Sequence, residues 1–365
     1  MQVRLSRQDV RRKFFHARSK RRTPVLLTIL LVLMCVSTVA CTAALPRQGG
    51  PCTSTTKRAC REQFPVSSGW KIPYYGNYSL AGNPTITHAV VVVHGILRNP
   101  REYFTGMLQA VNSAGVGAQT MVVAPYFQAS EDHPAANEPR WNDLGWENGD
   151  SAIMPHGLSS FTVMDQILAT LADKARFPNL TWVTVAGHSA GGRFTQRYAA
   201  VGRAPSVPGL LVNYVVADPS TYLYLNPYRP DLADPTGQRF TVPSTTCAYN
   251  NYEYGLNRPN SYVATLPTSE IINQYITRRV TYLQGGEDTA TVAGEQGHWL
   301  DTSCAAEIQG TNRLQRSALY YNYIRAYFPS APHNRLVVPD VGHDNKKIFG
   351  SIQGRTVLFD KPSQA

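Results

Sequence analysis

The chain has 365 residues, 43% of them hydrophobic and 16% charged, a balance that excludes a disordered polyelectrolyte and suits one large domain with insertions. Its formal charge of +11 would suit a nucleic-acid partner if it were spread over a face. Residues 1–24 hold nine Lys or Arg and one Asp, a net +8, so only +3 is left for the rest of the chain and no nucleic-acid partner is expected.

In chain order, that basic tail (1–24) precedes an uncharged apolar run over residues 25–40. A basic segment, an apolar core and then small residues make a secretory signal or a signal anchor. At ~1.5 Å per residue the run, extended to Leu45, barely spans a bilayer. The expected location is therefore secreted or periplasmic, or anchored by residues 25–45 with the main domain outside the cytoplasm, and this segment is the only expected membrane contact. Thr38-Val39-Ala40-Cys41 loosely resembles a lipoprotein processing site, and Arg11-Arg12 a twin-arginine signal.

Cysteine usage fits an oxidising destination. Beyond the apolar run lie Cys52, Cys60, Cys247 and Cys304. Of the three pairings four cysteines allow, Cys52 with Cys60 and Cys247 with Cys304 is expected, the first two being close in sequence and the last two lying in segments that flank the candidate site. No Cys-x-x-Cys pair or His cluster at metal spacing appears, so no metal, zinc above all, is expected. Asn77-Tyr78-Ser79 and Asn179-Leu180-Thr181 would accept glycans in a eukaryotic host.

Residues 46–69, rich in Gly, Pro, Ser and Thr, read as an exposed linker, and the main domain as 70–365. From Trp70 onward strands alternate with helices, the pattern of a mostly parallel α/β sheet covered on both faces. Residues 88–93 are a near-continuous apolar strand ending in His94-Gly95-Ile96. A Gly turn at a strand's carboxyl end offers the Ile96 N–H to a developing oxyanion, while His94 ties the loop down. A helix is expected over 101–114 and a strand over 120–126, followed by a long polar loop over 127–157. Its Trp141 and Trp146 either line a substrate cleft or pin the loop to the core.

A helix over 161–175 leads to a strand over 181–186 that runs into Gly187-His188-Ser189-Ala190-Gly191 and a helix to 201. A serine hydroxyl is a poor nucleophile at neutral pH and needs a base within reach, on a turn that exposes it. Gly187 and Gly191 leave room for strand and helix to pass, and the turn aims the Ala190 N–H where an oxyanion would form. Gly-x-Ser-x-Gly alone arises by accident roughly one time in ten in a chain this long. Its flanks discriminate.

The strand over 210–218 is followed by an insertion, about 219–269, crowded with tyrosines that include Tyr222. It reads either as a cap over the site or as a subdomain with its own aromatic core. Two later strands end in Glu287-Asp288 and in Gly342-His343, giving the order Ser, Asp, His. A triad needs the histidine to take the serine proton and a carboxylate to fix its tautomer. Asp288 and His343 fill those roles, with Asp218 as the alternative acid; Glu287 points away and Asp344 is structural. Arg313 and Arg316 are expected in surface pairs, with bridges to acids or contact with an anionic substrate as the alternatives.

Together Gly187-His188-Ser189-Ala190-Gly191, His94-Gly95, Gly286-Glu287-Asp288 and Gly342-His343 resemble the pattern of the α/β-hydrolase fold serine hydrolases from about residue 70 onward, closest to exported esterase-like members and distantly to polyhydroxyalkanoate depolymerases. The resemblance implies a cofactor-free esterase with Ser189 as nucleophile, His343 as base, Asp288 as acid and Ile96 and Ala190 as oxyanion donors, acting on a small-molecule or polymeric ester. An amidase or peptidase would use the same triad, and a non-catalytic binding protein of this fold would lack a nucleophile or base.

Overall fold

Valines at successive positions of one strand can all be buried only if both faces of the sheet are covered, and that is how residues 88–93 lie. In the computed structural model, which describes residues 51–53, 59–67, 69–292, 294 and 299–360, this strand is wholly buried. Ala89, Val91 and Val93 point into one core and Val90 and Val92 into the other. The readings made on residues 1–45 lie outside the described residues. Among the described residues no helix is long and apolar enough to cross a membrane.

Eight strands form the main sheet: β1 (Arg61–Ser67), β2 (Trp70–Gly76), β3 (His88–Val93), β4 (Thr120–Pro125), β5 (Trp182–His188), β6 (Leu211–Ala217), β7 (Arg279–Gly285) and β8 (His333–Val338). Their order is β1-β2-β4-β3-β5-β6-β7-β8. β1 and β2 pair antiparallel, as do β2 and β4, and every later pair is parallel. On one face lie α1 (Pro100–Ser113) and, from the C-terminus, α7 (Asn345–Gly350) and α8 (Ile352–Phe359). On the other lie α2 (Ser160–Ala172), α3 (Ala190–Val201), α4 (Thr268–Thr277) and α6 (Arg313–Tyr327), with a short α5 (Cys304–Glu307) before the last. This is the α/β-hydrolase architecture.

The expected linker is shorter than its composition suggests. Residues 61–67 form the edge strand β1 because Phe64 and Val66 alternate inward, and Pro65 is tolerated at an edge. The disulfides are Cys52–Cys60 and Cys247–Cys304. Asn77 is buried in the folded chain: its amide nitrogen donates to the Thr120 carbonyl and its oxygen accepts from the Val122 N–H.

The loop over 127–157 is pinned, not open. Trp141 and Trp146 are fully buried and donate their indole N–H groups to the Asp150 and Asp143 carbonyls. Trp146 packs on Phe127, Phe194 and His94, so its faces are spent on the core. Beside it Glu147 is buried with Oε1 2.8 Å from Arg193 Nη2. Burial outweighs the pull of Arg193 and Arg197 and pushes the Glu147 carboxyl up to about 7.

The insertion after β6 holds an aromatic core of its own making with α6. Tyr222 stacks on Tyr320 at 4.4 Å and Tyr224 meets Tyr320 edge-on at 4.9 Å. Buried Arg229 donates to the carbonyls of Asn226, Tyr228, Tyr249 and Tyr254, drawing the irregular chain together around one guanidinium.

Two measurements test these packing arguments. The Cys247–Cys304 bridge spans 57 residues and Cys52–Cys60 spans 8; loop entropy then predicts that removing the long bridge by paired Cys→Ser changes costs roughly 4 kcal/mol and the short one roughly 2.5 kcal/mol in urea unfolding. A carboxyl with a raised folded-state value holds its proton longer when folded, so its contribution to stability is lost as pH rises. The stability of the native protein relative to Glu147→Gln should accordingly fall between pH 4.5 and 7 and level off above; a difference independent of pH would refute the buried-carboxyl argument.

Candidate active site

Ser189 occupies the single-residue turn between β5 and α3, with φ 61° and ψ −120°. A non-glycine residue held there costs of order 1–3 kcal/mol, so the surroundings must enforce it. They do so by close backbone approach. A Cβ on Gly187 would fall on the Gly191 carbonyl, one on Gly191 on the Val93 and His94 carbonyls, and one on Gly192 on the Ala217 carbonyl. Only glycines let α3 start this close to β3, β5 and β6, and the Ser189 N–H donates to the Ala217 carbonyl at 3.0 Å.

The parallel strands β3, β6, β7 and β8 deliver the other groups at their carboxyl ends. After β8, His343 comes to Asp288, which follows β7: Nδ1 donates to Asp288 Oδ2 at 2.7 Å, with both side chains nearly inaccessible. Asp288 Oδ1 lies 3.5 Å from Arg313 Nη1. Arg313 and Arg316 are therefore not surface pairs; both are fully buried. Arg313 also donates to the Trp299 carbonyl, while Arg316 donates to the carbonyls of Gly310, Ser220 and Asp301 and knits the segment around α5 to β6. Burial pushes the Arg313 guanidinium below its usual value, against the opposing pull of Asp288 and Asp218. Glu287 is exposed, and Asp344 caps α7 by accepting from the Lys346 and Lys347 N–H groups.

Asp218 takes a different place. Its Oδ1 accepts from the Gly285 N–H at 2.8 Å, and its Oδ2 lies 3.3 Å from His188 Nε2. Tyr103 Oη lies 3.3 Å from the other nitrogen of His188. The His188 and His343 rings stand 4.4 Å apart, so two carboxylate and histidine pairs lie side by side.

Ser189, His188 and His343 face one cavity of about 170 Å³, whose wall includes Gly95, Ile96 and Tyr103. Leu97 and Trp299 stand at it, 74% and 63% exposed. Ala190 is the first residue of α3, and the N–H of a first helical residue has no acceptor inside its own helix. Ile96 lines the cavity from the loop after β3. That loop is held by His94: Nε2 accepts from the Phe127 N–H at 3.1 Å, which leaves Nδ1 to donate to the Gly95 carbonyl at 2.9 Å. Burial lowers His94 to about 4, so the ring stays neutral in this role.

Trp141, Trp146 and Tyr222, weighed as substrate contacts or as core packing, are fully buried and none is among the residues lining this cavity. The aromatic packing of the loop over 127–157 and of the insertion consumes their faces, and no residue of 219–269 is among the cavity's described walls. The sequence reading missed Tyr103, Leu97, His188 and Trp299. His188 and Leu97 were within reach, each lying next to a residue already singled out; Tyr103 and Trp299 carry no local signal.

The fold is thus that of the α/β-hydrolases. No model of a known protein family matches the sequence, and no curated protein matches it. Among solved structures, LpqC, a poly(3-hydroxybutyrate) depolymerase from Bordetella parapertussis, is similar over 82% of this chain and 90% of its own, with TM-score 0.56 and 20% identity. Poly(aspartic acid) hydrolase-1 from Sphingomonas sp. KT-1 is similar over 82% of this chain and 98% of its own, with TM-score 0.55 and 21% identity. What these likenesses share with the chain is the fold.

The close backbone passage at the turn makes a direct prediction. Gly187→Ala should destabilise the protein by about 3 kcal/mol or more in urea unfolding, since backbone and not a flexible side chain must move to admit the methyl group.

Proposed function

We propose that this chain is a serine hydrolase that cleaves a carboxylic ester through an acyl-serine intermediate, with Ser189 as nucleophile, His343 as general base and Asp288 as the supporting acid. The observation that carries the reading is the 2.7 Å hydrogen bond from His343 Nδ1 to Asp288 at the wall of the cavity that Ser189 faces. A carboxylate on Nδ1 sets the tautomer in which Nε2 is the basic nitrogen, the arrangement a serine nucleophile requires.

In this mechanism the Ser189 hydroxyl attacks the ester carbonyl as His343 Nε2 takes its proton. The tetrahedral oxyanion is met by the Ala190 and Ile96 N–H groups, which cost no reorganisation as charge develops. Collapse returns the proton to the leaving alcohol, and water activated by the same imidazole releases the acid. Arg313, inaccessible to substrate, serves as countercharge to Asp288 instead of binding an anionic ligand. The exposed Leu97 and Trp299 suit an ester, small or polymeric, with apolar surface beside the scissile bond. The same groups would open an amide only by delivering a proton to a poorer leaving group, which makes the ester the first substrate to try.

A fluorophosphonate probe should label the native protein and not Ser189→Ala; an unlabelled native protein, or undiminished labelling of the variant, would sink the assignment. Asp288→Asn should lower kcat on p-nitrophenyl esters by about four orders of magnitude. A near-normal rate would transfer the acid's role to Asp218.

A further inference from the structure

The second histidine and carboxylate pair has no part in that mechanism, and its chemistry is that of a metal ligand set. Among the described residues, one group of three side chains can converge on a cation: His188, Asp218 and His343, each offering one donor atom, all within 4.8 Å of one another. The geometry points to a transition-metal site here, occupied by Zn²⁺ in preference to Mg²⁺ or Ca²⁺, that withdraws His343 from catalysis and so makes the enzyme reversibly zinc-inhibited. Its effect on rate rests on the serine-hydrolase reading above; the existence of the site does not.

Three independent features support it. First, two of the donors already stand at the right separation. Tetrahedral zinc, with Zn–N and Zn–O near 2.0–2.1 Å, needs its ligands roughly 3.4 Å apart. His188 Nε2 and Asp218 Oδ2 are 3.3 Å apart, and His343, whose donor lies within 4.8 Å of them, has to close by at most about 1.4 Å.

Second, those two atoms are buried and neither has a hydrogen-bond partner. Their contact has the distance of a hydrogen bond without its direction. Buried donors and acceptors are normally satisfied, and an exception calls for a reason.

Third, each ligand is already oriented from behind. Metal-binding histidines almost always give their other N–H to an outer partner, and ligating carboxylates are themselves hydrogen-bonded. His343 Nδ1 donates to Asp288, His188 Nδ1 is 3.3 Å from Tyr103 Oη, and Asp218 Oδ1 accepts from the Gly285 N–H. Each of the three residues offers one ligand atom to the group, and these atoms lie within 4.8 Å of one another. Two imidazoles and one carboxylate favour zinc over the harder alkaline-earth ions. His188 and His343 line the cavity, which gives the ion an entry path. The Arg313 charge nearby is met by Asp288.

Metal-free protein titrated with ZnCl₂ in a calorimeter should bind one ion per chain, and the rate on p-nitrophenyl acetate should fall at least tenfold at saturation and return with EDTA, with MgCl₂ inert. His188→Gln and Asp218→Asn should each weaken zinc binding at least tenfold. Tyr103→Phe, which keeps all three ligands and removes only an outer partner, should weaken it about tenfold. Ser189→Ala, inactive by the proposed mechanism, should bind zinc as the native protein does, so the calorimetric result stands even if the native protein proves not to be a hydrolase. Absence of zinc binding to the native protein, or binding unchanged in both His188→Gln and Asp218→Asn, would overturn the site; binding without inhibition of an active enzyme would overturn the withdrawal of His343.

Discussion

Everything at the candidate site depends on how closely the start of α3 passes the ends of three strands. Ser189 keeps a positive φ because the Ala217 carbonyl holds its N–H and because the glycines at 187, 191 and 192 put bare backbone against the carbonyls of Gly191, Val93 and Ala217. A side chain at any of these positions would push the helix away and let the turn relax. The strain at one residue is thus sustained by contacts spread over β3, β5 and β6, neighbouring strands in the middle of the sheet. Rigid elements on every side are the condition for holding a reactive group at fixed geometry.

From that turn outward, the site is built in layers of buried polar contacts. His343 leans on Asp288, Asp288 on Arg313, and Arg313 on the Trp299 carbonyl, so the chain that carries the exposed Trp299 is tied to the proposed acid. His94 does the equivalent for the opposite wall, holding the Gly95 turn to the Phe127 N–H while staying neutral. Buried charges and polar groups are tolerable where they are partnered, as these are. His188 Nε2 and Asp218 Oδ2 are among the buried atoms without a hydrogen-bond partner, and His188 adjoins Ser189 in the chain.

The tyrosine-rich insertion shows how aromatic composition misleads when read alone. Its rings face α6, whose own Tyr320 and Tyr323 complete an interior stack, and Gln196 of α3 ties the segment down through the Leu223 backbone. The tryptophans of the loop over 127–157 behave alike, with indole N–H groups satisfied by local carbonyls. In both cases ring area is worth more against the core than against solvent. The apolar surface left at the cavity comes instead from Leu97 and Trp299, isolated residues in loops.

The sequence by itself determined the architecture and the identity of the candidate reactive groups. The unbroken apolar run on β3, buried on both faces, the strand-to-helix junction at Ser189 and the carboxyl-end positions of Asp288 and His343 are local properties, set by runs of apolar side chains and turn sterics within a few residues. The edge strand β1 escaped because its alternation is short and broken by Pro65, and helix α6 because aromatic residues surround it on more than one side. Only the tertiary structure decided which carboxylate meets His343, that Arg313 backs it from the interior, and that Tyr103, separated by 85 residues from His188, lies against it. Such pairings depend on strand order and on how helices cross the sheet, and spacing along the chain carries no record of either.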